Sequence, residues 1–387
     1  MSNQDNQTNL ISPPQENKDE SDQKAQLPQS YKFTLISQLT RKTYKGTEHP
    51  SKRWGHSVII HNKSMVIFGG HHSQRTLSNI YSLDFRTLNW SKIEQIGASP
   101  PARDSHSAIM YNNEMIIFGG TGSENNKYND LWAFNFTNKR WTKKTTYGND
   151  IPCKRDGHYS SLIYDRYMVV FGGINELDAV IGTVHLLDLT NDFWILTKNE
   201  GEQMSQRDSQ GGTTINNTLY IFGGQKNSNE DIYYNDMYEA NFEINDQDKK
   251  YKTIWKKVIP AENSPLPPER ASHTCVSYKD RFIIIIGGEG KKSQPLNDIW
   301  IFDTVTKYYS EVTISNHETF DSRLCHSSIL YNDIIAMYGG IQNKDTTLDS
   351  LVLLEIESLS GNNAVNLANT CKENINLLFF SRCQFYK

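Results

Sequence analysis

The stretch Met115-Ile-Ile-Phe-Gly-Gly120 decides the fold, because its pattern of an apolar run ending in two glycines occurs six times along the chain. The other copies are Met65–Gly70, Met168–Gly173, Leu219–Gly224, Ile283–Gly288 and Ile335–Gly340. They follow one another at a spacing of about 50 residues, a period that indicates a repeat architecture. Such an architecture can absorb a length of 387 residues into a single folding unit.

Each copy lies inside a larger unit whose parts recur in the same order. An Arg-x-x-His motif or a near relative precedes the apolar run, and a polar loop follows the glycines. A strand-like run, often opened by Asn-Asp, comes next, and an aromatic residue closes most units. The motif pairs are Arg53/His56, Arg103/His106, Arg155/His158, Arg207/Gln210, Arg270/His273 and Arg323/His326. The closing aromatics are Trp90, Trp141, Trp194, Trp255 and, more weakly, Tyr308 or Tyr309.

Each unit offers four β-prone runs separated by polar turns, which predicts one antiparallel blade per unit. In the second unit the runs are His106–Tyr111, Glu114–Phe118, Asp130–Asn135 and Arg140–Lys144. A single blade cannot bury its apolar faces alone, so the blades must stack around an axis. We call the strands of a blade a to d, from the innermost to the outermost, and we expect the closing aromatic to pack in the seam between neighbouring blades.

Over roughly residues 50 to 357 this pattern resembles the kelch-repeat β-propeller family. The resemblance implies an all-β fold, a six-bladed kelch-type β-propeller. The sixth unit supplies only three strands, ending with Ser350–Ile356, which leaves a sheet edge open. The segment Tyr31–Ser37 resembles the closing strand of the other units. We therefore predict that the last blade is closed by this N-terminal strand.

The chain is expected to have three parts: a disordered N-terminal segment over 1–30, the propeller over 31–357 and a C-terminal tail over 358–387. The first segment is rich in Gln, Asn, Asp and Ser, a disordered composition. We expect the tail to pack on a blade or fray, with a partner-binding peptide as the alternative. Phe242–Tyr251 lengthens the c–d hairpin of the fourth unit and is interpreted as a solvated extension.

The charge balance argues against nucleic acid as a partner. Lys and Arg number 40 and Asp and Glu number 44, a net charge of −4, and no stretch concentrates positive charge. The five cysteines are an odd set without a C-x-x-C pair, so neither a disulfide framework nor a zinc ribbon is indicated. With no secretory signal and no apolar run of membrane-spanning length, we expect a cytoplasmic, monomeric propeller that does not bind membranes.

The repeated Arg and His residues invite a chemical reading, but symmetry favours a structural one. A residue that every blade requires most often serves the blade, whereas a specific ligand site breaks the symmetry of the ring. The six arginines are therefore interpreted as structural, although one or two could also bind an anion. Asp104, Asp156 and Asp208, each next to one of them, are expected to supply counter-charge. The repeated histidines are expected to be core residues, and His71 with His72 loop surface, so no metal site is predicted.

The leading functional hypothesis is a protein–protein interaction platform, a kelch-repeat scaffold or adaptor. The b–c and d–a loops should converge on one face, and the b–c loops differ between blades, as a specific surface requires. Arg and Tyr are favoured interface anchors, and two adjacent lysines could steer an acidic partner. The predicted partner-binding residues are Arg75, Tyr128, Tyr233, Tyr234, Lys291 and Lys292.

The alternative is a small-molecule enzyme or binding protein, of a sugar-directed type, that uses the mouth of the propeller. Galactose oxidase resembles this chain in fold but needs a copper site of two Tyr and two His, and nothing identifies that set here. The nitrile-specifier proteins carry Glu-x-x-x-Asp-x-x-x-His, and no His of this chain has Asp four residues before it. A sialic-acid mutarotase of this fold needs only a few Arg and Glu in the mouth. We therefore expect no catalytic residue and no cofactor. A sugar-directed enzyme or binding protein that uses the mouth of the propeller stays as the alternative.

Overall fold

The computed structural model describes six parts of the chain, residues 32–39, 48–148, 150–226, 231–312, 314–315 and 320–357. The predictions for residues 1–30 and 358–387 concern parts of the chain outside these ranges. The described residues contain no α-helix, and their strands form six four-stranded antiparallel blades. The fold class predicted from the sequence is confirmed.

The blades follow one another along the chain, and each runs from strand a to strand d. The strands of the first three blades are Ser57–His61, Ser64–Phe68, Ile80–Asp84 and Asn89–Ile93; Ser107–Tyr111, Glu114–Phe118, Leu131–Asn135 and Arg140–Lys144; and Tyr159–Ile163, Tyr167–Phe171, Val184–Asp188 and Phe193–Leu196. Those of blades 4 and 5 are Gly211–Ile215, Thr218–Phe222, Met237–Asn245 and Lys250–Val258; and Thr274–Tyr278, Phe282–Gly290, Gln294–Asp303 and Tyr308–Glu311.

Blade 6 closes the ring with strands from both ends of the described chain. Its strands are Ser327–Tyr331, Ile334–Tyr338, Leu351–Glu357 and the N-terminal strand Lys32–Leu39. The last two pair antiparallel, with Phe33 opposite Ile356 and Leu35 opposite Leu354. The prediction that an N-terminal strand completes the last blade is confirmed. This closure leaves no three-stranded blade with an open edge.

Short elements decorate the blades. Lys198–Gly201 and Ile314–Ser315 add parallel fifth strands outside blades 4 and 6. Two-residue and three-residue strands form small ladders within the loops of blades 1, 3 and 6, and two 3-10 turns lie in the loops of blades 2 and 5. The ladders are His71–His72 with Arg75–Thr76, Arg155–Asp156 with Ile174–Asn175, and Ile341–Asn343 with Thr346–Thr347. The 3-10 turns are Ser123–Asn125 and Lys291–Ser293.

The b strands are apolar throughout because each of their faces lies in a different seam. Met115 and Ile117 belong to the core cluster between blades 1 and 2, whereas Ile116 and Phe118 belong to the one between blades 2 and 3. Successive side chains of a strand point to opposite faces, so an unbroken apolar run serves two seams at once. Six such clusters, one for each seam, form the core of the propeller.

The closing aromatics complete these seams, as the sequence predicted. Each packs on the aromatic residue that ends strand b of the preceding blade. The ring centroids lie 5.1 Å apart for Trp90 and Tyr338, 5.0 Å for Trp141 and Phe68, 5.1 Å for Trp194 and Phe118, 5.1 Å for Trp255 and Phe171, and 6.1 Å for Tyr309 and Phe222. Tyr309, rather than Tyr308, is the closing aromatic of blade 5, since it is fully buried.

The glycine pairs allow the loops of adjacent blades to approach closely. Gly69 and Gly70 have φ angles of 67° and 98°, a region that favours glycine. A Cβ atom on Gly69 would lie 2.6 Å from the carbonyl oxygen of Arg103 in the next blade. Any other residue here would therefore push two blades apart.

The long hairpin of blade 4 is anchored to blade 3 through its c–d turn. Asp246, in the c–d turn, accepts hydrogen bonds from Arg166 at 2.8 Å and from the hydroxyls of Tyr167 and Tyr251 at 3.2 and 3.1 Å. The Arg166 guanidinium and the Tyr167 hydroxyl of blade 3 therefore hold an element that the sequence suggested was solvated.

Candidate functional site

The b–c loops and the d–a segments lie on one face, which we call the loop face. In every blade the residue after the repeated arginine pairs with the residue after the glycine pair. These pairs are Trp54 with His71, Asp104 with Thr121, Asp156 with Ile174, Asp208 with Gln225, Ala271 with Glu289, and Leu324 with Ile341. The a–b and c–d turns lie on the opposite face.

A closed ring of six backbone hydrogen bonds surrounds the mouth of the central channel on the loop face. Each residue donates its N–H to the carbonyl of its counterpart in the preceding blade, over distances from 2.7 to 3.1 Å. The members are Gly55, Ser105, Gly157, Ser209, Ser272 and Cys325, and all have φ between 52° and 63°. The ring fixes the position of the residue immediately before each member, which places those side chains around the mouth.

The six arginines are structural, in agreement with the symmetry argument. Their side chains are almost completely buried, and each Nη1 donates to the carbonyl of the first glycine of its own blade. The carbonyl of the same arginine accepts from the second glycine of the preceding blade, as Arg103 does from Gly70 at 2.9 Å. Each arginine therefore joins two blades, and its guanidinium is not available to a ligand.

The expected counter-charges of these arginines were wrong. Arg103 forms its ion pair with Asp130 at 2.7 Å, and equivalent pairs join Arg207 to Asp236 and Arg270 to Asp298. These aspartates come from the Asn-Asp motif before strand c. Asp104, Asp156 and Asp208 point elsewhere, because neighbouring side chains on extended backbone face opposite ways. The remaining arginines have no described carboxylate partner, and burial lowers the pKa of Arg53, Arg155 and Arg323.

The repeated histidines are buried core residues, as predicted. His106 hydrogen-bonds to the Ser57 hydroxyl of the preceding blade at 2.8 Å, and His158 makes the same bond with Ser107. Burial lowers the pKa of His158 to about 3, so the ring is neutral at physiological pH. Among the described residues, no three His, Cys, Asp or Glu side chains lie close enough together to hold a metal ion.

Below the mouth, the a strands line a cavity of about 620 Å³ along the axis. Val58, Ile60 and Met110 form an apolar side, whereas Ser160, Thr213 and Cys275 contribute polar atoms from other blades. Burial raises the pKa of the Cys275 thiol to about 12, which keeps it protonated and unreactive.

The predicted partner-binding residues all lie in the loops of this face, spread over blades 1, 2, 4 and 5 rather than in one patch. Arg75, Lys291 and Lys292 are exposed. Lys291 forms an ion pair with Glu269 at 2.5 Å. Tyr233 is only 8% exposed and packs inward.

Tyr128 and Tyr234 also have an internal role. The guanidinium carbon of Arg103 lies 4.4 Å from the ring centroid of Tyr128, and that of Arg207 lies 4.2 Å from that of Tyr234. Both rings are half-buried and cover the arginine of their own blade. Each tyrosine begins a Tyr-Asn-Asp motif, so the repetition in the sequence could have indicated this role.

Sequence reasoning missed two exposed apolar residues in the described b–c loops of this face. Leu177, at the tip of the b–c loop of blade 3, is 83% exposed, and Ile232 in blade 4 is also exposed. Neither position has an apolar counterpart in every blade, so the repeat gave no signal for them. An isolated exposed leucine is ordinary, but one at a loop tip beside charged loops suits an interface.

A comparison with protein families matches nearly all of the propeller. The family model of the KLHDC2/KLHL20/DRC7 Kelch-repeats domain aligns with residues 17–224 and 184–362. The chain belongs to the kelch-repeat family. The six glycine-pair units are thus kelch repeats, and membership in this family supports a general role in protein interaction.

Several curated kelch proteins are similar to this kelch chain. Kelch domain-containing protein 3 of Rattus norvegicus is 24% identical over 273 residues, which are 65% of this chain and 68% of that protein. Kelch domain-containing protein 10 of Mus musculus is 26% identical over 332 residues, 84% of this chain and 63% of that protein. A leucine-zipper-like transcriptional regulator 1 homolog of Drosophila melanogaster is 25% identical over 80% of this chain and 31% of that protein.

Among solved structures, YjhT has a similar fold, with a TM-score of 0.62 and 16% sequence identity. The match covers 81% of this kelch chain and 99% of YjhT. At this identity the likeness concerns the fold alone. Within the described part of the chain, no helix has the length and apolar character needed to cross a membrane.

Proposed function

We propose that this kelch propeller is a protein-interaction platform, a scaffold or adaptor that binds its partner on the loop face. The observation that carries the proposal is where the ring loses its symmetry. Residues that recur in every blade are buried and hold blades together, whereas the exposed loop residues differ from blade to blade. A single asymmetric partner needs different groups at different blades, and the loop face supplies them.

The exposed groups of the loop face suit a protein interface. Arg75 offers planar donors, Leu177 offers apolar area, and Lys292 adds a charge at the rim of blade 5. Tyr128 and Tyr234 present the outer sides of rings whose inner sides cover an arginine, so they would offer rigid contact area at little entropic cost. Lys291 would contribute less to steering, because Glu269 already pairs with it.

The proposal includes the absence of catalysis. The six repeated arginines would not serve a sugar-directed enzyme at the mouth, because their guanidinium groups are buried against backbone carbonyls. The cytoplasmic location is kept as part of the proposal; within the described ranges, Cys153, Cys275 and Cys325 form no disulfide with one another.

The test is quantitative affinity capture with two matched triple variants. The loop-face variant carries Arg75→Ala, Leu177→Ala and Lys292→Ala, which remove two cations and one apolar group. The control on the opposite face removes the same classes of group with Lys63→Ala, Lys250→Ala and Val305→Ala, all at exposed positions.

With equal melting temperatures for all three proteins, the loop-face variant should lose the specific partners of the wild type, and the control should retain them. If the loop-face variant retrieves the same partners at the same yield, the partner binds elsewhere and the proposal is refuted.

A further inference from the structure

The central cavity is bounded near the opposite face by aliphatic side chains. The fourth residue of each strand a lies just before the a–b turn, and in four consecutive blades it is an aliphatic residue that lines the cavity. We call these four residues the aliphatic collar: Leu330 of blade 6, Ile60 of blade 1, Met110 of blade 2 and Leu162 of blade 3. All four are half-buried, so part of each side chain remains accessible.

The seams hold the aliphatic collar in place. Each of its four residues packs against a different seam cluster, which fixes one side of the side chain while the other side lines the cavity of about 620 Å³. Side chains held in this way cannot collapse onto one another across the axis. Their apolar surface stays in contact with water unless an apolar group covers it.

The lining of the cavity selects an uncharged occupant. None of the described residues that line it is charged, and blade 5 contributes the Ser277 hydroxyl and the Cys275 thiol. A carboxylate, a phosphate or an ammonium group would lose its hydration here without gaining a counter-charge. The cavity therefore suits neutral, mainly apolar side chains.

The described propeller ends beside the aliphatic collar. Strand c of blade 6 ends at Glu357 on the opposite face, because c strands run from the b–c loops to the c–d turns. The N–H of Ile356 donates to the carbonyl of Asp333 at 2.8 Å, in the a–b turn that follows Leu330 and its strand. Two strand spacings, about 10 Å, separate strand c from strand a.

The sequence that follows carries an apolar segment of matching chemistry. The segment is Ile375-Asn-Leu-Leu-Phe-Phe380, which we call the tail run, and it lies within an uncharged stretch from Asn374 to Ser381. Ile375 follows Glu357 by 18 residues, a length of chain that can span up to about 60 Å. The covalent connection also gives the tail run a high effective concentration near the collar.

We propose that the tail run inserts its apolar side chains into the opposite-face end of the channel, against the aliphatic collar of its own propeller. Both apolar surfaces then leave water together, and no charged group enters the uncharged cavity. The contact lies on the face opposite the loop face, so the inference does not depend on the proposed function.

The experiment is photo-cross-linking in the full chain, at low protein concentration. The probe variant is Phe379→p-benzoylphenylalanine, which keeps an aromatic side chain in the tail run. The matched probe control is Phe385→p-benzoylphenylalanine, outside the tail run. Cross-linked peptides are identified by mass spectrometry, and the mass of the intact product distinguishes a cross-link within one chain from one between two chains.

Two pairs of substitutions are combined with the probe at Phe379. Met110→Glu places a charge in the collar with little change in side-chain length, and Met110→Leu is its apolar control at the same position. Leu377→Glu places a charge in the tail run, and Asn366→Glu is its control elsewhere in the segment that follows blade 6. The second pair leaves the propeller sequence unchanged, so it remains informative if Met110→Glu alters folding.

The probe at Phe379 should cross-link within the same chain to the a strands that carry the collar, and the probe at Phe385 should give a much lower yield. Met110→Glu and Leu377→Glu should each lower the yield at least about threefold, because each would bury a charge without a partner. Met110→Leu and Asn366→Glu should keep the yield within about 1.5-fold of the unsubstituted probe protein, since neither places a charge in the contact.

The absence of a cross-link, or cross-links confined to the loop face or to the outer d strands, would overturn the inference. An unchanged yield in both Met110→Glu and Leu377→Glu would also overturn it. A product with the mass of two chains would identify a second copy as the source of the tail run and would contradict insertion within one chain.

Discussion

Trp194 offers a direct test of the seams that hold the blades together. Its side chain is 1% exposed and packs on Phe118 of the preceding blade, inside the cluster that joins blades 2 and 3. Trp194→Ala should destabilise the protein by about 3–5 kcal/mol, since a large cavity forms between two β-sheets that cannot collapse. With an unfolding entropy of about 2.1 cal/mol/K per residue over roughly 300 residues, the melting temperature should fall by about 5–8 °C.

The assay is thermal unfolding followed by circular dichroism, with Leu177→Ala as the matched control. Leu177 is an exposed apolar residue in the neighbouring loop of the same blade, and its removal should change the melting temperature by less than about 1 °C. A fall for Trp194→Ala no larger than that of the control would refute the assignment of the closing aromatics to the seams.

Replacement by phenylalanine separates packing from hydrogen bonding in two seams. The Trp141 Nε1–H donates to the Gln95 amide oxygen at 2.6 Å, whereas Nε1 of Trp194 has no described partner. Trp141→Phe should therefore cost about 1 kcal/mol more than Trp194→Phe, because it leaves the Gln95 oxygen without its donor. Equal losses of stability in the two variants would show that the hydrogen bond of the Trp141 indole adds nothing to its packing.

Deleting residues 1–40 should expose the edge of blade 6 and cause aggregation detectable by light scattering, whereas deleting 1–29 should not; a stable 41–387 protein would contradict the closure. Because the pKa of buried His158 is lowered to about 3, its neutral form stabilises the fold above the unfolded pKa of about 6.5, and stability is lost as the pH falls. Blade 4 has Gln at the equivalent position, so His158→Gln is a suitable variant. Between pH 7 and pH 5 its free energy of unfolding should fall by roughly 2 kcal/mol less than that of the wild type, measured by urea unfolding at both pH values. Asp130→Ala, which removes the carboxylate from buried Arg103, should cost about 2–3 kcal/mol in the same assay, and Asp130→Ser should cost less, since blade 6 uses serine there.

The fold could be predicted from the sequence because each blade repeats the same physical requirements. The runs Glu114–Phe118 and Arg140–Lys144 match the observed strands, and the closing strand predicted at Tyr31–Ser37 is observed at Lys32–Leu39. The b strands carry apolar residues on both faces, and the glycine pairs mark their ends. These signals are local, so they can be read without knowing which blades touch.

The partners of individual side chains could not be predicted in the same way. Asp130, directly before the third strand of the blade, reaches Arg103 across 27 residues of sequence. Asp104 is adjacent in sequence, but the extended backbone turns it toward the mouth, where it lies beside His71. The alternation of side chains along the Arg-Asp dipeptide was the available signal, and it indicates opposite directions rather than an ion pair.

The exposure of loop residues was equally hidden. Arg75 and Tyr233 are both favoured interface types in b–c loops, but one is exposed and the other is buried. Whether a loop side chain turns outward depends on the backbone of that loop, which the repeat pattern does not encode. The repeated Tyr-Asn-Asp motif at Tyr128 and Tyr234 is the exception, because repetition itself indicates a role within the blade.

Hydrogen–deuterium exchange of the propeller with and without a captured partner tests the central claim most directly. The account predicts slower exchange in the b–c loops, at residues 71–76, 121–128 and 174–181, and around the backbone ring of the mouth. The a–b and c–d turns of the same blades should exchange at unchanged rates. Protection confined to those turns or to the outer d strands would contradict a loop-face platform.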